Sequence, residues 1–479
     1  MRYINRELLF MEKTLFTGII DEDAAKLEGY LRFGESYDLK KREIGEGERR
    51  ALIYYIEGFQ DGKIMAPLVS AIGSVVHNER GAVDGIFSLL PSLDMATVSS
   101  VEDAADNVTA GRAVVLSGLL GAEAKVVDAR RYPLRSTSEP ENDRVMRGSR
   151  DGFVEALLTN VTLIRRRIRS PELTVSYVRG GKITKTDIAI IYLHGKADPA
   201  LVERIVNKAE NMKTDSLVLG HQSVTETLIK NKWYNPFPKI RATERPDAAS
   251  AAILEGSVLI LCDNSPEALI FPTSVFDFLQ VTDDYYFPPL TGTYLRILRH
   301  VTFIMTVFLI PLWYLLLNHS EILPSWLQFI VPSKPGDLPI ILQIFLAEFA
   351  IDGLKLASLN TPNMLSGSLS IVGGLLLGDF AVQVGWLSPD VILYMAFVAI
   401  ANFTQTSFEL GYAFKYLRMI TLLLTVLFDV YGFIAGIIFA VILLLSNNTS
   451  ASGRGYLFPV LPFGRKALAR LLFRVKKHD

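Results

Sequence analysis

MITLLLTVLFDVYGFIAGIIFAVILLL, residues 419–445, holds one charged residue, Asp429, in an otherwise apolar run. An α-helix rises about 1.5 Å per residue, so about 20 residues cross the hydrocarbon core of a bilayer. Asp429 falls near the middle of the run, where facing lipid would cost about 2.5–3.5 kcal/mol. With Gly432 close behind, Asp429 makes the run a candidate hairpin; the alternative is that residues 391–410 dip into the bilayer and return.

Three further apolar regions precede it. VTFIMTVFLIPLWYLLL (301–317) is broken by Pro311. LPIILQIFLAEFAIDGLKLAS (338–358) carries Glu348, Asp352 and Lys355. SLSIVGGLLLGDFAVQVGWL (368–387) is followed, after Pro389, by VILYMAFVAIANF (391–403). Glu348, Asp352, Asp379 and Asp429 must each face protein or water rather than lipid. Asp352 and Lys355 stand three apart and can pair on one helix face, an ordinary packing contact. Arg296 and Arg299 precede the first region, Lys415 and Arg418 precede the last, and Arg465, Lys466, Arg470, Arg474, Lys476 and Lys477 follow it. The excess of cations on cytosolic loops places all three groups on that side. A simple count of five spans puts the tail on the opposite side, so one region is re-entrant or split.

SIVGGLLLGDFAVQVG (370–385) has small residues at helical spacing: Gly374 and Gly378, then Ala381 and Gly385. Such spacing lets two helices approach closely, within one chain or between copies. Ser366, Ser368 and Ser370 come before it; Asp379 and Gln383 add polarity within it. Ser370, Ile371, Gly374, Leu375, Leu377, Gly378, Asp379 and Gln383 are candidate pore-lining residues, with Ile371, Leu375 and Leu377 as a dry constriction. On residues alone, pore lining and plain packing are equal readings.

The rest of the chain is different in character. Of 479 residues, 50% are hydrophobic, yet residues 300–446 hold only about a dozen charges and residues 1–299 are charge-rich. The net charge of −1 gives no global field toward nucleic acid. The N-terminus MRYINRELLFMEKTLF has acidic residues and no apolar signal core, so a cytosolic N-terminal domain is expected. Residues 1–125 and 126–290 read as two α/β subdomains with mixed sheets. Strands are expected at 49–59, 110–120, 187–193 and 256–266, and helices at 65–76 and 99–108. A further helix follows the Asp198-Pro199 cap. A multi-span α-helical transmembrane domain (291–450, four to six membrane segments) and a basic cytosolic tail (451–479) complete the plan.

No enzyme constellation emerges. The six histidines are scattered, with no pair at metal-ligand spacing, and neither GEGERR (45–50) nor RGGKITKT (179–186) completes a phosphate loop. Neither metal nor cofactor is expected. Cys262, the one cysteine, lies in the apolar strand SVLILCD and reads as buried. RVMRGSRDGFVEALLTNVTLIRRRIRSPEL (144–173) reads as an amphipathic helix from Phe153 to Ile168, with Arg165, Arg166 and Arg167 at its C-terminal end. The arginines compensate the helix dipole, bind carboxylates of a neighbouring subunit or, as a third reading, hold a phosphate or nucleotide. Arg147, Arg150, Arg165, Arg166 and Arg167 are candidate subunit contacts. Glu244, Arg245 and Asp247 of RATERPDAA (241–249) form the complementary cluster, its acids placed to receive the arginines by charge alone.

These segments, with KTDIAIIYLHGKADPALV, TERPDAASAAILEG and SIVGGLLLGDFAVQVG in that order, resemble the A-subunit family of bacterial spore germinant receptors over residues 30 to the C-terminus. Typical receptor A subunits more often show RGPREGF and an Arg-Pro where this chain has RGSRDGF and Thr361-Pro362. The resemblance implies a multi-pass protein of the spore inner membrane with its N-terminal domain on the core side. It also implies a homo-oligomer in the lipid bilayer that conducts monovalent cations, works with a small membrane-protein partner and other germination proteins, and amplifies the receptor response. The alternatives are a non-conducting scaffold that clusters receptors, or a component of a dipicolinate-release channel. The acidic Glu348, Asp352 and Asp379 favour cations over that anion.

Overall fold

The computed structural model describes residues 13–76, 95–132, 149–212, 214–218, 220–229, 233–281, 284, 286–333, 336–360, 373–374, 378, 380–405, 407–447 and 455–473. They fall into two compact units. One is drawn from 1–230 and 240–272, the other from 231–239, 273–449 and 454–479.

The first unit contains two five-stranded sheets. Strands β1 (Leu39–Ile44), β2 (Ala51–Ile56), β3 (Met95–Val98), β4 (Ala113–Ser117) and β5 (Ala124–Val127) form one, in the order β1-β2-β4-β5-β3. Helices α1 (Ile20–Leu31) and α3 (Val101–Thr109) cover one face through Leu27, Leu31, Ala104 and Val108. Helix α2 (Gly62–Val76) covers the other through Leu68 and Ile72. The Ser100 cap opens α3 as its sequence suggests, the hydroxyl accepting from the Asp103 backbone N–H.

Strands β6 (Leu173–Gly180), β7 (Thr186–Leu193), β8 (Arg241–Thr243), β9 (Val258–Cys262) and β10 (Ala268–Phe271) form the second sheet, in the order β6-β7-β9-β10-β8. Helices α5 (Pro199–Glu210) and α6 (His221–Leu228) pack on one face, and α4 (Leu157–Arg167) and α7 (Pro246–Leu254) on the other. Every ladder among the described strands is antiparallel, in place of the mixed sheets expected. The cause is local in part: β6–β7 and β9–β10 are joined by turns of a few residues, and short turns make only antiparallel pairs. Cys262 is buried in β9, and burial pushes its thiol up to about 12, which leaves it unreactive at neutral pH.

Helix α4 starts four residues later than its apolar spacing suggests. The buried Asn160 side chain accepts from the Val154 N–H (2.8 Å) and donates to the Val154 carbonyl (2.5 Å), so it holds the preceding segment extended. At the other end of α4, Arg165 is 1% exposed. Its Nε and Nη2 donate to the Asp38 carboxylate at 2.8 and 2.9 Å, and Nη2 also donates to Ser36 Oγ at 3.1 Å. Ser36 Oγ accepts from the Val175 N–H, while the Tyr37 N–H donates to the Val175 carbonyl and the Tyr37 ring stacks on Tyr177. The segment before β1 is thereby fastened to the edge of β6, and the two subdomains share one buried ion pair.

The second unit is helical. Its main elements are α8 (Pro289–Asn318), α9 (Ile340–Asn360), α10 (Pro389–Phe403), α11 (Phe408–Ser446) and α12 (Arg465–Leu472). Two of these, α8 and α11, are long and apolar enough to cross a membrane. Helix α11 is broken at Asp429, which adopts φ 54° and ψ −130°. A Cβ placed on Gly432 would stand 1.8 Å from the Leu424 carbonyl oxygen, and one on Gly436 would stand 2.5 Å from Thr421 Cγ2. In a straight helix residues 421 and 436 would be about 22 Å apart. The arms 408–428 and 430–446 therefore fold back on each other as an antiparallel hairpin. Gly432 and Gly436 are the points of closest approach.

Removing one partner of a buried pair strands the other charge, at a cost of about 3–5 kcal/mol. Asp38→Ala should lower protection across α4 and β6 by that amount, read by amide hydrogen exchange on the full chain. Arg166→Ala, at an exposed neighbour on the same helix, should change it by less than about 1 kcal/mol. Equal effects would mean that the Arg165–Asp38 pair does not join the subdomains.

Candidate functional site

Ser407 caps the first arm of α11, and Leu410, Ala413, Phe414 and Leu417 set its inward face. Arg418 follows directly on that face and has no route to solvent; it is 2% exposed. Its Nη2 donates to both Glu348 oxygens, at 2.7 and 2.8 Å, and its Nη1 to the Thr306 carbonyl of α8 at 2.9 Å. Lys415, one turn earlier, bonds Asp352 and lies 3.5 Å from Glu348 Oε1. Glu348 and Asp352 are one turn apart on α9, so Lys415 and Arg418 match them across the helix interface. In an apolar bundle this mutual neutralisation is what makes the charges tolerable.

The expected Asp352–Lys355 pair is not formed; Asp352 goes to Lys415. The Lys355 ammonium instead lies 4.6 Å from the Tyr412 ring centroid, 4.9 Å from Phe408 and 5.9 Å from Phe403. A facing helix supplies Asp352 with a cation without forcing the i,i+3 rotamers on α9, and the aromatic residues then take up Lys355 by their negative ring faces. Asp429 occupies the bend, where the hairpin reading of the run puts it, and its Oδ2 is 2.7 Å from His319 Nε2. Asp is among the few residues that accept positive φ.

Of the pore-lining candidates, Ser370, Ile371, Leu375, Leu377 and Asp379 lie outside the described residues. Gln383 is exposed. Among the described residues a Cβ on Gly374 or Gly378 would meet no atom within 4 Å, whereas one on Gly373 would strike Leu354 of α9. Beyond them the chain closes onto the start of α9. The Asp337 N–H donates to the Gly385 carbonyl at 2.8 Å, and the Ser388 N–H to Gln343 Oε1 at 2.7 Å. Gln343 is fully buried and escaped the sequence reading; only the Ser388-Pro389 cap beside it carries a sequence signal.

The arginine candidates have different settings. Arg147 lies outside the described residues and Arg150 is exposed. Arg165 is committed to Asp38. Arg166 stacks on the Tyr132 ring at 4.7 Å. Arg167 bonds Asp151 at 2.6 Å. Burial works against the charge of Asp151, but hydrogen bonds from Arg167 and Ser149 prevail and hold its carboxyl below the usual range. Arg245 and Asp247 pair with each other at 2.6 Å, and the Glu244 carbonyl accepts from the Phe153 N–H.

Against known proteins, residues 30–479 match the family described as Bacillus/Clostridium GerA spore germination protein. Stage V sporulation protein AF of Bacillus subtilis is 35% identical over 461 residues, which span 95% of this chain and 92% of the relative. Spore germination protein KA of the same organism is 30% identical over 454 residues, 92% of this chain and 82% of the relative. Among solved structures, the N-terminal domain of the A subunit of the Bacillus megaterium spore germinant receptor GerK3 is 24% identical. It covers 54% of this chain and 96% of its own length, at a TM-score of 0.41. The chain belongs to the GerA spore germination family.

If Glu348 and Arg418 act as one unit, their substitutions should not add. Arg418→Gln alone should cost about 3–5 kcal/mol. The double variant Glu348→Gln/Arg418→Gln should recover about 1–3 kcal/mol of the summed loss, read as thermal stability of the full chain in detergent. Additive losses would show that the two side chains contribute separately.

Proposed function

From that membership we infer that this chain is a subunit of an oligomeric channel of the spore inner membrane, one that passes monovalent cations and amplifies the response of the germinant receptors. The observation that carries the reading is the open face of Gly374 and Gly378. Among the described residues that face has no neighbour, so packing among them does not account for the small residues there. A second copy of the chain or a water-filled axis would account for them. The exposed Gln383 lies on the same stretch.

The hairpin supports a matching topology. Helix α9 has Gln343 and Asp337 beside Ser388 and Gly385 at one end, and Lys355 beside Phe403 and Phe408 at the other. The chain leaves α9 at its second end and rejoins it at Gly385. We read α8, α9, the return to Gly385, α10 and the two arms of α11 as six passes, an even number. Arg296, Arg418 and the tail then share the cytosolic side, as the cation excess requires. Gating would move the stretch 366–385 against the rest of the bundle. Glu348 and Asp352 bear on selectivity less than their charge suggests, since Arg418 and Lys415 already neutralise them. Preference for cations over dipicolinate would rest on other groups, Asp379 foremost.

Two measurements check this. Potassium efflux from cells expressing the chain with its membrane partner should rise in Leu375→Ala or Leu377→Ala at equal membrane abundance; no efflux from any inserted, assembled version would favour the scaffold. For topology, the unreactive Cys262 can stay in place. A cysteine at Tyr431 beside the bend should label from outside, and one at Leu461 only after permeabilisation. Labelling of both from one side would remove the hairpin pass.

A further inference from the structure

Among the described residues Trp233 is the most exposed large apolar side chain, at 96%, and the exposed Tyr234 ring stands edge-on beside it. They lie far ahead of the first apolar region, yet residues 231–239 belong to the helical unit. Asn235 Nδ2 donates to the Leu443 carbonyl (3.1 Å) and to Ser446 Oγ (3.2 Å) at the end of α11. Phe237 packs on Phe414 and Tyr456, and the Tyr456 hydroxyl donates to the Pro238 carbonyl at 2.7 Å. A few residues beyond Tyr456, Leu461 and Phe463 are exposed as well, Phe463 at 71%. Two segments distant in the chain, bonded to each other, thus present open apolar side chains at the end of α11. This surface continues the outward face of the second arm, where Ile438, Ile442 and Leu445 are exposed at helical spacing.

Helix α8 gives the level. Its 30 residues span about 45 Å, against about 30 Å of hydrocarbon. The first turns of α8 therefore stand in the headgroup layer, and there Leu290, Tyr294 and Ile297 are exposed along one face. Helix α12 packs on α8, with Leu471 buried, Phe473 exposed and the Phe473 carbonyl accepting from Arg296 Nη1 at 3.4 Å. Aromatic side chains with an apolar body and a polar edge suit that depth. Charge then selects the surface. Residues 454–479 hold seven lysines and arginines against one acid, and Arg465 at the start of α12 is exposed. A second copy would bring the same basic segment and repel it. A neutral leaflet leaves these cations unmatched, whereas an anionic one attracts each by about 1 kcal/mol.

We propose that residues 231–239 and 455–473 form a membrane-surface anchor: Trp233, Tyr234 and Phe463 seat in the headgroup layer of the cytosolic leaflet, and α12 binds anionic phospholipid headgroups there. The inference rests on the membrane topology read above and is independent of ion conduction.

The test uses the full-length chain in nanodiscs of phosphatidylcholine, with or without phosphatidylglycerol. A thiol-reactive fluorophore on Trp233→Cys or Phe463→Cys should lose its emission to lipids brominated near the glycerol end of the acyl chain and keep it with lipids brominated near the methyl end. Ile438→Cys, midway along the second arm, should show the reverse. Phosphatidylglycerol should slow amide exchange across α12 by about tenfold or more, and added salt should undo the gain. Arg465→Gln/Lys466→Gln/Arg470→Gln should lose most of that gain while keeping the quenching at residue 233. Labels at 233 and 463 that no brominated lipid quenches, with Ile438→Cys quenched, would overturn the proposal and assign the rings to a protein contact. Equal exchange of α12 in the two discs would overturn it as well, leaving an apolar anchor without headgroup recognition. Absence of quenching at all three positions would remove the membrane topology itself, and the anchor with it.

Discussion

Arg418 is the constraint on which the helical unit turns. It cannot leave the inward face of its arm, because the apolar stripe that directs the arm inward runs directly up to it. In water such a residue would cost nothing; in an apolar bundle it needs a carboxylate at hydrogen-bond distance. Glu348 on α9 meets that need with both oxygens, and the Thr306 carbonyl on α8 accepts a bond from Nη1. One guanidinium thus fixes the spacing of three helices. Lys415 and Asp352, one turn along on each side, add a second tie and so fix the register as well as the distance.

The N-terminal unit uses the same device for a different purpose. There Arg165 and Asp38, 127 residues apart, join two subdomains that each have their own sheet and core. Both subdomains would bury their apolar faces without the pair. What the pair adds is a single relative placement, because a planar guanidinium with two bonds to one carboxylate and a third to Ser36 tolerates little rotation. Whether such pairs add net stability over an apolar contact is a separate matter; their geometry is what an apolar contact lacks.

The legible parts of this protein are those whose cause is local. The Asp198-Pro199 cap predicts α5, Ser100 predicts α3, and short continuous apolar runs predict β7 and β9 where they are found. The hairpin was half legible: Asp429 and Gly432 mark a break, but a break is compatible with several returns until Gly436 is seen against Thr421. Partners across long separations carried no signal. Sequence reading identifies Asp352 as a charge in need of a cation and offers Lys355, the nearest in the chain; Lys415, 63 residues on, takes it because the packing of α9 on α11 brings it there. Helix α4 misled for a related reason. Its apolar spacing continues back to Phe153, and a single buried amide, Asn160, overrides it.

The glycines of the opening run and of 373–378 look alike in sequence and differ in use. Gly432 and Gly436 are small because a backbone and a threonine of the same chain press against them, so any side chain there would force the arms apart. Gly373 is small because Leu354 occupies its place. Gly374 and Gly378 have no such neighbour. A glycine costs helix stability relative to alanine, about 0.5–1 kcal/mol each, and in these two positions nothing among the described residues recovers that cost. A contact with another copy, or the path of an ion, as proposed above, would recover it.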